Sequence, residues 1–275
     1  MNPHAEPPAS LQGMFRTLWV HRQLIARMSR REVIGRYRGS ALGLVWSFLT
    51  PLFMLAIYTF VFSVVFKARW GTEEESRTQF AVVLFAGLIV HSIFAEVINR
   101  APQLVLGNVN YVKKVVFPLE ILPVIQLVAA FFHGLVSVVV LLVAKLVFTG
   151  SVPFTALFFP VVILPLLILI LGLSWALASL GVFARDVGQT IGLITSVMLF
   201  MSPVFFPIQS LPDYLQPWMQ LNPLTFIIEQ VREVLVWGRQ PQWFGLFVYG
   251  LFALAVSWLG FAWFQKTRKG FADVL

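Results

Sequence analysis

The chain has 275 residues, of which 59% are hydrophobic and only 12% are charged. This composition excludes an ordinary water-soluble domain and predicts an integral membrane protein. The 20 Lys and Arg residues outnumber the 12 Asp and Glu residues, which gives a net charge of +8, and the absence of cysteine excludes disulfides and thiolate metal sites. We expect one all-α membrane domain over residues 1–275.

The N-terminal region is basic and shows no pattern of a removable signal peptide. Over residues 11–28 apolar side chains recur on one helical face, which predicts an amphipathic helix at the membrane surface. We assign residues 11–38 to this cytoplasmic interface region. Four arginines directly precede the first apolar segment, where positive charge marks the cytoplasmic side: Arg30, Arg31, Arg36 and Arg38.

Six apolar segments are long enough to cross a bilayer, and they make residues 41–264 a six-helix membrane region. They are residues 41–66, 80–98, 118–147, 152–183, 187–208 and 243–264. An even number of spans places both termini on one side. Basic residues at both ends predict that this side is cytoplasmic, with the acidic run 73–75 outside.

Residues 209–240 are too charged and too rich in proline to span, yet they remain largely apolar. Within them, Pro223 suits the first turn of a helix and Gly238 its end. One side of this helix collects Ile227, Val231, Val234 and Leu235. We predict two short re-entrant helices from the outer face, whose backbone needs protein or a water-filled cavity. The alternative is a hairpin that lies on the outer leaflet.

Two segments share the spacing GxxxGxxxS, at the starts of the first and fifth spans. The residues are Gly39, Gly43 and Ser47, and Gly188, Gly192 and Ser196. Small residues four apart let another helix approach closely in lipid. The partner is either a helix of the same protomer or a second copy of the chain.

Aromatic residues follow two rows in the first span, Trp46, Phe53 and Phe60, and Tyr58, Phe62 and Phe66. Aromatic rings offer apolar faces on which sugar rings pack, so these rows, with Phe200 of the fifth span, suit a channel for a carbohydrate chain. Contact with lipid explains the same rings equally well.

The ionisable residues in or beside the spans form no recognisable catalytic pair or metal site: His91, Glu96, Glu120, His133 and Lys145. We therefore predict no catalytic residue, metal or cofactor in this chain. No glycine precedes a lysine, so a GxxxxGK[ST] phosphate loop is absent and another subunit would have to bind ATP. Residues 100–118, which join the second and third spans, are the best docking surface for such a subunit. The alternative is a surface loop facing lipid phosphates.

Four linked stretches carry a resemblance to a known family. They are RYRGSALGLVWSFLTPL, NVNYVKKVVFPLEILP, ARDVGQTIG followed by SPVFFP, and LNPLTFIIEQVRE. In order and spacing the chain resembles the transmembrane subunit of type 2 ABC exporters for lipid-linked surface polysaccharides, meaning O antigen, capsule or teichoic acid. The resemblance covers nearly all of the chain.

This resemblance implies a homodimer in the bacterial inner membrane with two ATPase subunits, which bind ATP and Mg. It places a coupling helix at residues 104–116, with Asn108, Asn110, Tyr111 and Val112. The second cytoplasmic loop then lies at Arg185 and Asp186, and the first and fifth spans line the polymer channel.

A separate hypothesis concerns the four arginines that precede the first apolar segment. Together with Lys113 and Lys114, Arg30, Arg31, Arg36 and Arg38 would receive the diphosphate head of a polyprenyl-linked glycan, because the guanidinium fork pairs two phosphate oxygens and stays charged. Two alternatives remain from the residues alone. One is a membrane enzyme that processes such a glycan, and the other is a type 2 ABC exporter of a lipid or drug.

Overall fold

The structure, a computed structural model, describes residues 9–66, 77–113 and 117–275, and these residues contain helices and no strand. The α-helices are α1 Leu11–Val20, α2 Arg22–Gly35, α3 Trp46–Tyr58, α4 Arg77–Arg100, α5 Val109–Lys113, α6 Leu122–Thr149, α7 Phe159–Phe183, α8 Val187–Phe200, α9 Gln216–Gln220, α10 Pro223–Arg232, α11 Trp243–Thr267 and α12 Phe271–Val274. Two π-helical segments, Thr59–Val65 and Glu233–Trp237, extend α3 and α10. The acidic run 73–75 and Lys114 lie outside the described residues.

Five helical segments in the described part of the chain are long and apolar enough to cross a membrane. They are Gly43–Phe62, Gln79–Gln103, Leu119–Thr149, Phe154–Phe183 and Trp243–Val274. Each falls on a segment that the sequence predicts to span. The all-helical membrane architecture is therefore confirmed, while the sixth span and the side on which the termini lie stay predictions.

The expected fifth span is shorter than the sequence suggests. Helix α8 has 14 residues and ends at Phe200, so it reaches roughly 21 Å, less than the ~30 Å of a bilayer core. Beyond it the chain turns through Pro203 and Pro207, which cannot donate the hydrogen bonds that a continuing helix needs. In the predicted span over residues 187–208 the α-helix therefore ends at Phe200, and the crossing of the membrane by this segment stays a prediction.

The interface region forms two helices instead of one. Ser10 caps α1 by accepting a hydrogen bond from the Gly13 N–H at 3.0 Å, and the chain bends at His21 between α1 and α2. The start of α1 is tied to α11, because Trp258 Nε1 donates to the Ala9 carbonyl at 3.1 Å. Phe15 and Trp19 remain exposed on α1, as a helix at a membrane surface requires.

The first GxxxGxxxS motif does not form a helical groove, and that prediction is wrong. Gly39 has φ +88° and Gly43 has φ +50°, which places both in the left-handed region. These glycines make the turn from α2 into the first span, a backbone path that other residues enter only with strain. The residue spacing therefore matches the helical motif while the backbone does not.

Helix α8 carries the second motif on one face, but no other part of the described chain packs closely on it. A Cβ atom added at Gly192 would meet nothing within 4 Å, and one at Gly188 would meet only the Gln103 side chain, at 3.7 Å. The described residues thus give no support for packing within one protomer on this face. A second copy stays the predicted partner.

The close glycine contact lies elsewhere, in the seam between α7 and α11. A Cβ at Gly260 would lie 2.0 Å from the Gly172 carbonyl oxygen, and one at Gly172 would lie 2.5 Å from the Ser257 Cα. Beside this contact Trp175 packs edge-on against Phe261, with ring centroids 5.1 Å apart. These backbones touch because neither glycine has a side chain.

Helix α10 confirms the local prediction for the segment after α8. Pro223 occupies its first turn, the Asn222 side chain accepts from the Leu224 N–H at 2.9 Å, and Gly238 ends the helical segment with φ +71°. The four residues predicted on one side are all buried: Ile227, Val231, Val234 and Leu235. Burial within the protein supplies what a re-entrant segment needs, although its depth in the membrane stays a prediction.

Candidate functional site

The four arginines of the predicted headgroup patch have different surroundings. Arg30 and Arg38 have exposed side chains. Arg31, also exposed, lines a cavity of about 380 Å³, which we call the Arg31 cavity. Arg36 is paired, because its Nη1 lies 2.6 Å from Glu96 Oε1 and 2.8 Å from His133 Nδ1. Lys113 is exposed at the end of α5.

A second cavity, of about 370 Å³, surrounds the pair of Arg36 and Glu96, and we call it the Glu96 cavity. Its walls come from the end of α2 and from α3, α4 and α6. His133 Nδ1 also lies 3.3 Å from Glu96 Oε1. Burial raises the pKa of the adjacent Tyr37 phenol, so this ring stays neutral at physiological pH.

Sequence reasoning did not pair Glu96 with its actual partner. His91 and Glu96 share α4 but lie on different faces, and His91 Nε2 instead lies 3.1 Å from the Thr195 carbonyl oxygen on α8. The residue that meets Glu96 is His133 on α6. Only the packing of α4 on α6 brings these two side chains together, and no spacing within a single helix reveals it.

The Arg31 cavity lies between α2, the end of α4 and the predicted coupling region. Arg100 Nη1 donates to Glu32 Oε1 at 3.4 Å and to Gln126 Oε1 at 3.3 Å. Asn108 and Tyr111 line the same cavity. Polar side chains therefore connect the interface helix α2 to the end of α4 and to α6, and the coupling region borders the same cavity.

Of the predicted coupling helix over residues 104–116 the structure describes residues 104–113, and these do not form one continuous α-helix. Leu106–Asn108 forms a 3₁₀ turn, and α5 is short. The Asn108 side chain donates to the Leu104 carbonyl at 2.8 Å, and the Tyr111 ring stacks on Phe117 at 4.3 Å. Asn110 is exposed and Val112 is half-buried.

The two predicted cytoplasmic loops come together at one end of the molecule. A Cβ at Gly181, near the end of α7, would lie 2.1 Å from the Pro102 carbonyl oxygen. Arg185 and Asp186 follow directly and are exposed. Gln103 reaches Gly188 at the start of α8. Both loops can therefore contact one docked subunit, which is a role that the structure leaves as a prediction.

The two aromatic rows of the first span point in different directions. Phe62 contacts Tyr58, Phe66 and Phe205, with centroids 6.5, 5.8 and 6.0 Å apart. Phe205 in turn lies 5.7 Å from Phe200, so this row joins the first span to the end of α8. The other row is exposed and comprises Trp46, Phe53 and Phe60, of which Phe60 lines an apolar groove between α3 and α6.

Two buried cations fasten the segment after α8 to the core. Arg232 donates through Nε to the Val83 carbonyl and through Nη2 to the Val204 carbonyl, both at 3.0 Å. Burial lowers the pKa of its guanidinium, opposed by the nearby Glu229. Lys145, in α6, is buried and donates to the Val236 carbonyl. These contacts hold α10 and its π-helical extension against α4 and α6.

An ion pair between Arg268 and Glu120 joins the C-terminal end of α11 to the start of α6. Arg268 Nη1 lies 2.7 Å from Glu120 Oε2, and its Nη2 donates to the Phe117 carbonyl at 3.0 Å. Trp175 Nε1 donates to the Glu120 carbonyl at 2.8 Å. The end of α11 is thus joined to the start of α6 and to α7. Across the described ranges, no group of three or more His, Asp or Glu residues could hold a metal ion.

The profile of one protein family, the ABC-2 type transporters, matches residues 23–236. The chain belongs to this family. As an ABC-2 protein it resembles the O-antigen export system permease protein RfbA of Myxococcus xanthus, with 25% identity over 94% of this chain and 98% of the relative. A Klebsiella pneumoniae protein of the same name is 24% identical over 92% of this chain and 95% of the relative. The polysialic acid transport protein KpsM of Escherichia coli is 24% identical over 91% and 95%.

Proposed function

We propose that this chain is the permease subunit of an ATP-driven exporter that moves a polyprenyl-linked polysaccharide, O antigen or capsule, across the bacterial inner membrane. The observation that carries the proposal is the alignment, over more than nine-tenths of both chains, with relatives named for O-antigen export and polysialic acid transport. The spans that the structure describes and the joined aromatic row support a membrane path for a long sugar chain.

The active assembly in this proposal is a homodimer with two copies of a separate ATPase, which binds ATP and Mg. The open glycine face of α8 supports the homodimer, because no helix in the described part of the chain packs closely on it. The loops at Ala101–Gln103 and Arg185 support docking, because they meet at one end. Six crossings, with the chain after Phe200 completing the fifth, keep both termini cytoplasmic, and the segment over residues 209–240 is re-entrant from outside.

The diphosphate head of the substrate binds at the exposed arginines in this proposal. Arg30, Arg31 and Arg38 carry it with Lys113 and Lys114, and Arg36 borders it from the Glu96 cavity. The double variant R30A/R38A should lose stimulation of the ATPase by polyprenyl diphosphate. Arg239→Ala, an exposed arginine of the outer segment, is the matched control. If polyprenyl diphosphate stimulated the ATPase equally in both variants, with both correctly inserted in the membrane, this placement would be contradicted.

The exporter itself is tested by copurification with a phosphate-loop ATPase, which is sought first among the reading frames next to the one for this chain. The complex is placed in lipid, and ATP hydrolysis is measured with and without a polyprenyl-linked oligosaccharide. We expect the two proteins to copurify and the glycan lipid to stimulate hydrolysis. Failure to copurify, together with chemical modification of the glycan by this chain alone, would replace the proposal with the membrane enzyme.

A further inference from the structure

The Glu96 cavity contains more chemistry than packing between helices requires. On one wall Arg36, Glu96 and His133 form a cluster with contacts of 2.6, 2.8 and 3.3 Å. Hydroxyl groups and phenol rings line other parts of the cavity, from Thr50, Ser92, Ser137, Tyr37 and Tyr58. The cavity therefore combines charged groups, neutral hydrogen-bonding groups and aromatic faces.

Ionisable side chains within membrane-spanning segments cost free energy, so the position of this cluster indicates a functional role. Glu96 and His133 sit in two apolar segments that are long enough to cross the membrane. Ionisable residues inside such segments are rare, and they mark substrate paths more often than packing sites. All three side chains keep access to the cavity or to the surface, since 40% of Arg36, 18% of Glu96 and 16% of His133 is exposed. A ligand that entered the cavity could reach them.

The hydrogen-bond geometry fixes what the cluster can offer. Arginine can only donate, so the 2.8 Å contact with Arg36 Nη1 is a hydrogen bond in the tautomer in which His133 Nδ1 accepts and Nε2 carries the ring proton. In that tautomer the 3.3 Å contact of Nδ1 with Glu96 Oε1 is not a hydrogen bond. His133 Nε2 is buried and has no hydrogen-bond partner within the described ranges of the chain. A buried donor without an acceptor is unfavourable. The cluster is thus short of an acceptor, while Glu96 adds acceptor oxygens beside it.

The charge balance decides the class of ligand. Glu96 cancels the charge of Arg36, and an imidazole that accepts at Nδ1 is neutral, so the cluster as a whole is neutral. A phosphate would approach a carboxylate here and be repelled. A sugar hydroxyl is uncharged and can donate to Glu96, while its ring packs on a phenol face. A volume of about 370 Å³ also lies in the range of small-molecule sites.

We propose that Arg36, Glu96 and His133 form a subsite for an uncharged sugar ring of the lipid-linked glycan. This inference rests on the proposed function and adds a recognised part of the substrate to it. Because Arg36 is two residues from Arg38, the subsite borders the basic patch. The ring held there is the one next to the diphosphate. The cavity thereby distinguishes a lipid that carries a glycan from the bare polyprenyl diphosphate.

The test compares two ligands on the full-length chain in lipid nanodiscs. One ligand is polyprenyl diphosphate, and the other is the same lipid carrying one neutral hexose. We expect the wild-type chain to bind the hexose-bearing lipid about tenfold more tightly, and Glu96→Gln and His133→Ala to remove that preference. Affinity for the bare lipid should stay unchanged in His133→Ala and should not fall in Glu96→Gln, which leaves the Arg36 charge free for the diphosphate. Glu233→Gln, the same change in an ion pair of the outer segment, should keep the preference.

A further variant keeps the test decisive if changes to the charged cluster prevent correct folding. Ser92 lines the cavity and is exposed, so Ser92→Leu fills space without removing any charged group. We expect it to abolish the preference for the sugar as well, with unchanged melting temperature and unchanged affinity for the bare lipid.

The outcomes separate this subsite from the exporter proposal. If the wild-type chain binds both lipids equally, or if S92L and E96Q keep the preference, the subsite is wrong while the exporter stands. If E96Q weakens both lipids by the same factor, the cluster serves the anion or the fold, and the sugar assignment is again wrong. If the wild-type chain binds neither lipid, both the sugar subsite and the proposed function are contradicted.

Discussion

The seam between α7 and α11 and the open face of α8 use small residues in opposite ways. In the seam, Gly172 and Gly260 bring two backbones into contact within one chain, whereas a Cβ at Gly192 on α8 would meet nothing. The same physical property, the absence of a side chain, therefore closes one region and leaves the other available. The comparison teaches that glycine spacing predicts an ability to pack closely and does not name the partner.

The largest effect is expected where the seam is filled. Gly260→Val should prevent correct folding, at a cost of about 3 kcal/mol or more, because its Cβ would overlap the Gly172 carbonyl. Yield of monodisperse protein and melting temperature in detergent measure this effect. Gly250→Ala on the same helix, where nothing lies within 4 Å, is the control and should change stability by no more than about 1 kcal/mol. If both variants gave the same yield and melting temperature as the wild type, close packing in the seam would be contradicted.

Loss of the ion pair at the end of the seam should have the next largest effect. Arg268→Ala leaves the buried Glu120 carboxylate without its 2.7 Å partner, which should cost about 2 kcal/mol of stability. Arg239→Ala is the matched control, because Arg239 is 74% exposed and 3.8 Å from Glu233. It should stay within about 0.5 kcal/mol. Similar melting temperatures for both variants would contradict a structural role for Arg268.

The open face of α8 should respond differently from the seam. Gly192→Leu should leave the fold of the protomer intact, since a Cβ at this position meets nothing within 4 Å. It should weaken the proposed homodimer about tenfold, or about 1.4 kcal/mol, if the face is the contact between copies. Light scattering over a dilution series measures this change. A dimer of unaltered affinity would place the interface elsewhere.

The smallest effect concerns backbone conformation without any contact. Gly43 has φ +50° and open space around it, so Gly43→Ala should cost about 1 kcal/mol through strain alone. Gly35→Ala in α2 also meets nothing within 4 Å and has no positive φ. It should be neutral or slightly stabilising. A thermal melt of both variants separates strain from space, and a neutral G43A would contradict the left-handed turn.

Several parts of the fold follow from the sequence because they depend on local chemistry. Apolar length predicts six spanning segments, five of which the structure shows as long apolar helices, and Pro223 with Gly238 predicts the limits of the helix after α8. Gly39 and Gly43 show where such reasoning ends, since the same residue spacing occurs in a helix and in a turn. The cluster of Arg36, Glu96 and His133 could not be predicted from the sequence, because its members come from the turn after α2 and from two helices that meet only after packing. Gly172 and Gly260 are small residues that favour close helix packing, but neither belongs to a GxxxGxxxS repeat, so that pattern did not predict the seam.

The central claim is movement of a lipid-linked glycan driven by ATP, and proteoliposomes test it most directly. The chain and its phosphate-loop partner are reconstituted with the ATPases outside, and the glycan lipid is supplied in the outer leaflet. Export should then carry the glycan into the lumen, so ATP should increase the fraction protected from an added glycan-degrading enzyme, and a non-hydrolysable analogue should not. Unchanged protection in vesicles that hydrolyse ATP normally would contradict the account.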